Sequence, residues 1–167
     1  QGPFISQNCT AIPTGLFEAD LFGSERGAFT GADRTRSGFI RKAQGGTFLL
    51  DEIGDADLSS QAKILRVIEE KALRPVGGTR SVPIDVRFMA TTQKDIDLLV
   101  EGGGFRGDLF YRIAGLRIHI PPLRERREDI RPLLLHSLQG ILRRDVRLAP
   151  RAMTLLEAHS WPGNVRE

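Results

Sequence analysis

The sequence has few of the residues on which covalent and metal-based scaffolds depend. Its 167 residues include one cysteine, Cys9, and three histidines. A single cysteine cannot form an internal disulfide, and His119, His136 and His159 are not spaced as ligands of a structural zinc ion. The composition therefore excludes a disulfide-stabilised domain and a histidine–cysteine zinc module.

Long apolar runs are also missing. No stretch approaches the ~20 apolar residues of a membrane-spanning helix, and the first residues lack the basic and then apolar order of a secretory signal. A chain that is 40 % hydrophobic and 27 % charged is ordinary for a globular domain. We therefore expect a cytoplasmic protein with its own core and no membrane partner.

The basic residues are mostly arginines, and the net charge is only +3. They form runs at Arg124, Arg126 and Arg127 and again at Arg143 and Arg144. Arginine pairs bidentately with carboxylate or phosphate, which suits subunit interfaces and phosphate contacts, but solvated helix faces are the simpler explanation for most of these residues. The small net charge does not require nucleic-acid binding, and no aromatic residues are interleaved with the basic ones to support it.

Periodicity predicts alternating strands and helices. Residues 46–50 form a continuous apolar run typical of a strand buried in a parallel sheet, and apolar residues alternate along 84–91 and 116–120. A short strand is predicted at 4–6. Helical spacing is found at 13–22, 58–71, 95–101 and 106–113. The pattern predicts an α/β fold with a parallel sheet and flanking helices.

The pattern changes after Pro121 and Pro122, because only helices follow, at 129–139 and 150–159. We therefore predict two parts, an α/β subdomain over residues 1–122 and the start of a small helical subdomain over 123–167.

Asp51 and Glu52 follow the predicted buried strand at 46–50. Ligands of parallel α/β sheets bind beyond the carboxyl ends of the strands. There Asp51 is suited to hold Mg²⁺, and Glu52 is suited to polarise an attacking water. Two acidic turn residues after a strand are also common in proteins that bind no nucleotide, so this pair alone leaves both interpretations open.

A second candidate is the segment Gly27-Ala28-Phe29-Thr30-Gly31-Ala32. Glycine permits tight or left-handed backbone, and an aromatic residue at a mobile tip is suited to touch a partner. The alternative is a loop whose Phe29 packs back into the core.

The hexapeptide at 27–32 resembles the GAFTGA loop of the sigma-54-dependent transcription activators, which are bacterial AAA+ ATPases. Six consecutive residues match, and the residues that precede them, Leu21 to Arg26, match the family as well. Such a match is a specific signal. The resemblance covers essentially the whole chain, through Asn8-Cys9, Ala11-Ile12-Pro13, Gly45-Gly46-Thr47, Leu50-Asp51-Glu52-Ile53, Gln61-Ala62-Lys63, Leu65-Arg66-Val67, Phe105-Arg106, Asp108-Leu109, Tyr111-Arg112, Pro121 to Arg126, and Trp161 to Glu167.

The resemblance implies an ATP-driven motor with an AAA+ sheet and a helical lid. Asp51 and Glu52 match the Walker B pair, and Asn8 matches the asparagine that holds the catalytic glutamate until the sigma factor is engaged. Arg106 and Arg112 match the pair from which arginine fingers reach the γ-phosphate of a neighbouring subunit.

Three further positions receive roles from the same resemblance. Arg166 matches the sensor arginine of the lid, and Phe29 with Thr30 would carry the movement to the sigma factor. Gln93 stands after Thr92 where the family commonly has asparagine, and its longer amide can still reach a water or a phosphate.

Each of these motifs has a simpler alternative. Arg106 and Arg112 are also placed to pair with Asp108 or neighbouring acids on their own helix. Asn8 with Cys9 is also consistent with an ordinary turn, and residues 161–164 with the end of one helix and the start of the next.

The sequence departs from the family in lacking the phosphate loop, whose backbone N–H groups and lysine cradle the phosphates. The first strand of the family's sheet, which lies between the strands predicted at 84–91 and 116–120, is missing as well. We therefore expect a part of a longer protein, and a fragment that is inactive as an ATPase by itself.

The resemblance implies ATP and Mg²⁺ as cofactors, assembly into a ring that is a hexamer in the family, and remodelling of the sigma-54 RNA polymerase holoenzyme. Promoter or enhancer DNA would be bound through a domain outside this sequence. A non-hydrolysing relative that docks on a protein through residues 27–32 remains an alternative. A different AAA+ enzyme, such as a chelatase or a protein-unfolding ATPase, would lack that loop.

Overall fold

The computed structural model describes residues 2–10, 14–142 and 148–167. The predicted helix start at Pro13 and the arginines Arg143 and Arg144 lie outside the described residues. The chain divides into two units, Gln1–Leu116 and Arg117–Glu167. This division follows Leu116, whereas the sequence places the domain boundary after Pro122, and the domain assignment stays a prediction.

A parallel sheet forms the centre of the first unit. Its strands are β1 (Phe4–Asn8), β4 (Thr47–Asp51) and β7 (Arg87–Ala90), and their order is β1-β4-β7. The α/β class and the parallel sheet predicted from the sequence are confirmed. β7 is shorter than the predicted strand at 84–91, although burial alternates along residues 82–90 as predicted.

The central strand β4 is apolar, with one face fully buried and the other partly buried. Phe48 and Leu50 are fully buried, and the Phe48 ring meets Phe88 of β7 edge to face with centroids 6.2 Å apart. Burial of such side chains contributes roughly 1.5–3 kcal/mol each to folding. The cluster around them draws on every helix of the first unit, through Phe17, Leu21, Ile40, Ile64, Leu65, Ile96 and Leu109.

The helices begin and end close to the predicted bounds. They are α1 (Thr14–Phe22), α3 (Leu58–Glu70), α4 (Ile96–Glu101) and α5 (Gly107–Ile113). The Asp57 carboxylate accepts hydrogen bonds from the backbone N–H groups of Ser59 and Ser60, both at 2.9 Å, and so caps α3. Asp95 caps α4 in the same way.

Several short elements have no periodicity and were not predicted. The helix α2 spans Phe39–Lys42. The pair β2 (Gly23–Ser24) and β3 (Arg36–Ser37) is antiparallel, as is the pair β5 (Ala72–Leu73) and β6 (Val82–Pro83). Elements of two to four residues are shorter than the window in which a pattern can be recognised.

The predicted strand at 116–120 is wrong for this structure. The segment is not a strand, and its apolar residues Leu116, Ile118 and Ile120 are 78, 75 and 72 % exposed. A strand needs a neighbouring strand to take its backbone hydrogen bonds. Among the described residues, no strand pairs with this segment, so the alternation of its sequence has no sheet to join.

The sheet closes tightly at its amino end. There Gly46 lies against Pro3, and a Cβ atom on Gly46 would stand 2.0 Å from the Pro3 carbonyl oxygen. The Thr47 N–H donates to that same oxygen at 2.8 Å. Only glycine permits this approach of two backbones.

The second unit is helical, as predicted. It contains α6 (Ile130–Leu142) and α7 (Pro150–Ala158), preceded by 3₁₀ turns at Leu123–Glu125 and Arg127–Asp129 and followed by one at Asn164–Arg166. Pro150 occupies the first helical position of α7, where its missing N–H costs nothing. Among the described residues, no helix has both the length and the apolar character needed to cross a bilayer.

Candidate functional site

Polar residues converge at the carboxyl edge of the parallel sheet. Asn8 ends β1 directly opposite Asp51, which ends β4, and Thr91 follows β7. Because the three strands are parallel and in register, their last residues and the turns after them meet at one edge. The structure thus brings together Asn8, Asp51, Glu52 and Gln93, four of the residues proposed from the sequence.

The Asp51 carboxylate is held by both neighbouring strands. Its Oδ1 atom accepts a hydrogen bond from the Thr91 hydroxyl at 2.6 Å, and its Oδ2 atom accepts one from the Asn8 amide at 3.2 Å. The Thr91 oxygen in turn accepts from the Glu52 N–H at 3.3 Å. Sequence reasoning missed Thr91, although its place as the first polar residue after β7 was a usable signal.

Glu52 has an unusual backbone for a residue with a side chain. Its φ and ψ angles are 56° and 48°, the left-handed region that costs an ordinary residue roughly 1–2 kcal/mol. Its two carboxylate oxygens accept hydrogen bonds from the Gln93 N–H at 3.0 Å and the Gln93 side-chain amide at 2.5 Å. Strained backbone of this kind clusters at functional sites.

The contacts of Asn8 differ from the sequence prediction. Asn8 was expected to hold Glu52, but its amide donates to Asp51, and its oxygen accepts from the Thr10 N–H at 2.7 Å and from the Thr10 hydroxyl at 2.5 Å. The strand register places Asn8 opposite Asp51. The left-handed turn then directs Glu52 to Gln93, so Gln93 takes the position that the prediction gave to Asn8.

Cys9 lies buried beside this edge, and its N–H donates to the Asp51 carbonyl oxygen at 2.8 Å. Burial, and after it the negative charges of Asp51, Asp55 and Glu52, raise the pKa of the Cys9 thiol to about 12. The thiol is therefore protonated at neutral pH and is a poor nucleophile.

One nearby carboxylate, that of Asp55, is partly neutralised by a lysine. The Lys94 ammonium forms an ion pair with Asp55 and donates to the Gly54 carbonyl at 3.3 Å. In the described part of the chain, no group of three or more histidine, cysteine, aspartate or glutamate side chains is arranged to hold a metal ion. Asp51 thus offers one fixed carboxylate, which suits Mg²⁺ completed by substrate oxygens and water.

Arg106 is paired with Asp108, as the simpler of the two interpretations predicted. The guanidinium donates to both carboxylate oxygens, at 2.6 and 3.0 Å, and this pairing holds the pKa of Asp108 below its usual value. Arg106 precedes α5 as its N-cap residue. The prediction that it shares a helix with Arg112 is therefore wrong, because the helix begins only at Gly107.

Arg112 lies in the last turn of α5 and is exposed. Among the described residues, its guanidinium has no hydrogen-bond or ion-pair partner. Neither Arg106 nor Arg112 contacts Asp51 or Glu52, so the structure does not bring the arginines into the site at the strand edge.

Residues 27–32 form a loop between β2 and β3. Hydrogen bonds from the Gly27 N–H to the Ala32 carbonyl at 2.9 Å and from the Ala32 N–H to the Phe29 carbonyl at 3.0 Å close it. Gly27 and Gly31 have positive φ angles of 81° and 95°, which side chains disfavour. Phe29 at the tip is 38 % exposed, so the alternative in which it packs into the core is excluded.

The base of this loop is fixed to a second segment. The Glu25 N–H donates to the Val76 carbonyl at 3.0 Å, and the Val76 N–H donates to the Gly23 carbonyl at 2.9 Å. A Cβ atom on Gly77 would stand 2.7 Å from the Ala28 Cβ atom, so the two backbones touch. A movement of residues 75–78 would therefore move the loop.

Arg166 belongs to the second unit and lies in the turn Asn164–Arg166, where it is exposed. This turn is fixed by Asn164, whose side-chain oxygen accepts from the Leu123 N–H at 2.8 Å and whose φ angle is 53°. The Trp161 indole N–H donates to the Leu156 carbonyl at 2.8 Å and ties the preceding turn to α7.

Comparison with known families gives two matches along the chain. The family described as Sigma-54 interaction domain matches residues 1–119, and the AAA+ ATPase lid domain matches residues 124–167.

Curated relatives share about half of the residues. Regulatory protein AtoC of Escherichia coli strain K12 is 47 % identical over 100 % of this chain and 37 % of its own length. A Nif-specific regulatory protein of Herbaspirillum seropedicae is 49 % identical over 99 % of this chain and 31 % of its own. The DNA-binding transcriptional regulator NtrC of Klebsiella pneumoniae is 47 % identical over 100 % and 36 %. The chain thus spans about a third of the length of these relatives.

Solved structures show the same fold. NtrX from Brucella abortus in complex with ATP has a TM-score of 0.87 and 36 % identity, over 99 % of this chain and 36 % of that one. The same protein in complex with ADP has a TM-score of 0.86.

Proposed function

Since this chain belongs to the family of sigma-54 interaction domains followed by AAA+ lids, we propose that it is the ATP-hydrolysing motor of a bacterial transcription activator. The motor remodels the sigma-54 RNA polymerase holoenzyme so that promoter DNA opens. The observation that carries the proposal is the strand-edge site, where Asp51 and Glu52 are each fixed by side chains from neighbouring segments.

In this proposal Asp51 holds Mg²⁺, with Asn8 and Thr91 fixing its carboxylate. The ion supplies positive charge to the phosphates when it is bound. Glu52 polarises the attacking water as a general base. Because Gln93 covers both carboxylate oxygens, Glu52 is inactive in this arrangement and must leave Gln93 before hydrolysis. Gln93 thus acts as the holding residue that the sequence assigned to Asn8.

Catalysis requires a neighbouring subunit in the proposed ring, which is a hexamer by family resemblance. Arg112 is exposed and unpaired among the described residues, so it is available to enter a neighbour's site as the finger. Arg106 is paired with Asp108 and first has to exchange this partner. Arg166 in the lid would report whether the γ-phosphate is present.

The loop 27–32 is the proposed contact with the sigma factor. Its support is the exposed Phe29 at the tip and the anchored base at Glu25 and Val76. An aromatic tip on a closed loop can transmit a displacement to a partner, since the loop moves as one piece. DNA would be bound by a domain outside this sequence.

The test uses the full-length protein and the variant Glu52→Gln, with Glu69→Gln on the exposed side of α3 as the control. We expect ATP binding to persist and hydrolysis to fall by about 10²-fold or more in Glu52→Gln alone, because a general base contributes 10²–10⁴. Hydrolysis at the control rate would contradict the proposed role of Glu52.

A non-hydrolysing docking protein is the second candidate. It is favoured by two pairings, because Gln93 covers Glu52 at the strand edge and Asp108 covers Arg106 at the start of α5. Wild-type full-length protein that binds the sigma factor, but turns over no ATP in the presence of the holoenzyme, would establish this candidate in place of the motor.

A further inference from the structure

The side chain of Gln61 on α3 is fully buried and uses its whole amide for backbone hydrogen bonds. Its Nε2 atom donates to the Ala56 carbonyl at 2.8 Å and to the Gly104 carbonyl at 3.2 Å. Its Oε1 atom accepts from the Arg106 N–H at 2.8 Å. A buried polar side chain whose polar atoms all have partners favours one arrangement of the segments it joins.

The two joined segments carry different parts of the proposed machinery. Ala56 directly follows the 3₁₀ turn Ile53–Asp55, which begins after Glu52. Gly104 and Arg106 belong to the approach to α5, the helix that presents Arg112. Gln61 therefore connects the turn that carries the general base to the segment that carries both arginines.

No other polar side chain among the described residues performs this connection. Arg106 is the N-cap residue of α5, and its side chain makes no capping bond; its own backbone N–H donates to Gln61. Apolar residues of both helices, Ile64 and Leu65 of α3 and Leu109 of α5, belong to the same buried cluster. Apolar packing tolerates small shifts, whereas three hydrogen bonds to one planar amide restrict them.

We propose that Gln61 is a positioning residue that fixes the start of α5, and with it Arg106 and Arg112, relative to the Asp51–Glu52 turn of the same subunit. The functional part of this inference rests on the proposed function. In a ring, the site that a subunit contains and the arginines that it offers to its neighbour then move together. Gln61 thus couples hydrolysis in one subunit to the next.

The direct test is hydrogen exchange at the Arg106 amide in the full-length protein, since this readout is independent of ATP hydrolysis. We compare Gln61→Leu, Gln61→Met and Gln61→Glu with the control Ser60→Ala. Ser60 precedes Gln61 on α3, and its buried hydroxyl donates to Asp57.

Exchange at Arg106 should accelerate by about tenfold or more in Gln61→Leu and Gln61→Met, because the acceptor is lost. Gln61→Glu keeps an acceptor and should restore much of the protection, and Ser60→Ala should leave it unchanged. Wild-type protection of the Arg106 amide in either apolar variant that folds would overturn the inference.

The functional test mixes inactive subunits. Gln61→Met should lower kcat for ATP by about 10²-fold with little change in KM, because a small misplacement of the arginines acts on the transition state. Mixed with Glu52→Gln, which offers intact arginines, Gln61→Met should regain activity. Mixed with Arg112→Ala it should not, because neither subunit offers a positioned finger.

The mixture of Arg112→Ala with Glu52→Gln is the reference. If this reference regains activity but Gln61→Met shows no preference for Glu52→Gln over Arg112→Ala as a partner, Gln61 is structural only and the inference is overturned. If the reference stays inactive, catalysis across subunits fails as part of the proposed function. The exchange rate at Arg106 then decides the positioning role by itself.

Discussion

Single residues at the strand edge are held by specific partners rather than by general packing. Asp51 is bound from two sides, and Glu52 is kept in a left-handed turn with its carboxylate on Gln93. Asp57 likewise makes specific hydrogen bonds, which cap α3 and so fix the first turn of the helix that carries Gln61.

Asp57 makes folding sensitive to acid. Burial acts to raise the pKa of its carboxyl, but the hydrogen bonds from Ser60 and Ser59 outweigh it and lower the pKa from 3.8. The carboxylate therefore contributes stability above pH ~4, and the contribution is lost as the pH falls through the lowered folded value.

Asp57→Ala should reduce the free energy of unfolding at pH 7 by about 1 kcal/mol, the usual cost of a lost cap. Denaturant unfolding between pH 3 and pH 7 measures it, with Asp57→Asn as the control that keeps an acceptor without the charge. An acid dependence that is the same in Asp57→Asn as in the wild type would contradict the role of this carboxylate.

At the scale of elements, the loop at 27–32 and the helix α5 are the two parts proposed to act outside their own subunit. The loop is closed by its own hydrogen bonds and contacts residues 75–78 at its base. It makes no contact with Asp51 or Glu52 among the described residues. Loss of its tip should therefore separate hydrolysis from its effect.

Thr30→Ala in the full-length protein should leave ATP hydrolysis within about twofold of wild type and abolish open-complex formation, because the side chain is exposed and makes no internal bond that the catalytic turn needs. A transcription assay beside an ATPase assay measures both. Thr154→Ala is the control, since its exposed hydroxyl bonds only the Pro150 carbonyl of its own helix. Wild-type transcription by Thr30→Ala would show that the loop is not the contact.

The helix α5 should act in the neighbouring site. Arg112→Ala and Glu52→Gln are each expected to be inactive, with the loss for a finger at roughly 10³ to 10⁵ in rate. Mixed rings should regain part of the ATPase activity, because one subunit supplies Glu52 and the other Arg112. A second mixture, of Arg106→Ala with Glu52→Gln, tests in the same way whether Arg106 acts in the neighbouring site. Mixed rings as inactive as either parent, for both arginines, would exclude catalysis in trans.

Most of the longer strands and helices were predictable from the sequence. The apolar run at 46–50 and the helical spacing at 58–71 were decisive, because burial imposes both patterns directly. The contact partners were not, since Asn8 meets Asp51 through strand register and Glu52 meets Gln93 through a backbone turn, neither of which leaves a periodic signal. The role of Gln61 was not predicted for the same reason, because its hydrogen bonds reach backbone groups of residues distant in the sequence.

At the scale of the whole molecule, each unit exposes apolar side chains that a folded domain normally covers. β7 lies at the edge of its sheet, and Met89 on it is 43 % exposed. Leu116 at the end of the first unit, and Ile118 and Ile120 at the start of the second, also have most of their surface in solvent. Unpaired edges and such apolar segments promote association between chains.

The isolated 167-residue chain should therefore self-associate, and Ile118→Lys should reduce the association because a charge on this segment opposes strand pairing. Sedimentation velocity measures the effect, with His119→Lys as the control that adds a charge at the adjacent position. A monomeric wild-type chain with cooperative thermal unfolding would contradict the expectation.

Because Gly46 closely approaches Pro3 at the amino end of the sheet, the two ends of the sheet should respond differently to substitution. At that end the backbone leaves no room for a side chain, so a substitution such as Gly46→Ala lowers the yield of folded protein in every assay alike. At the carboxyl end the residues are polar and partly solvated, so most substitutions there fold and fail only in turnover. In a library screened for both abundance and activity, substitutions near the amino end of a strand should lower the amount of folded protein. Substitutions near the carboxyl end should lower activity at normal abundance. In β4 this change should take place within five residues.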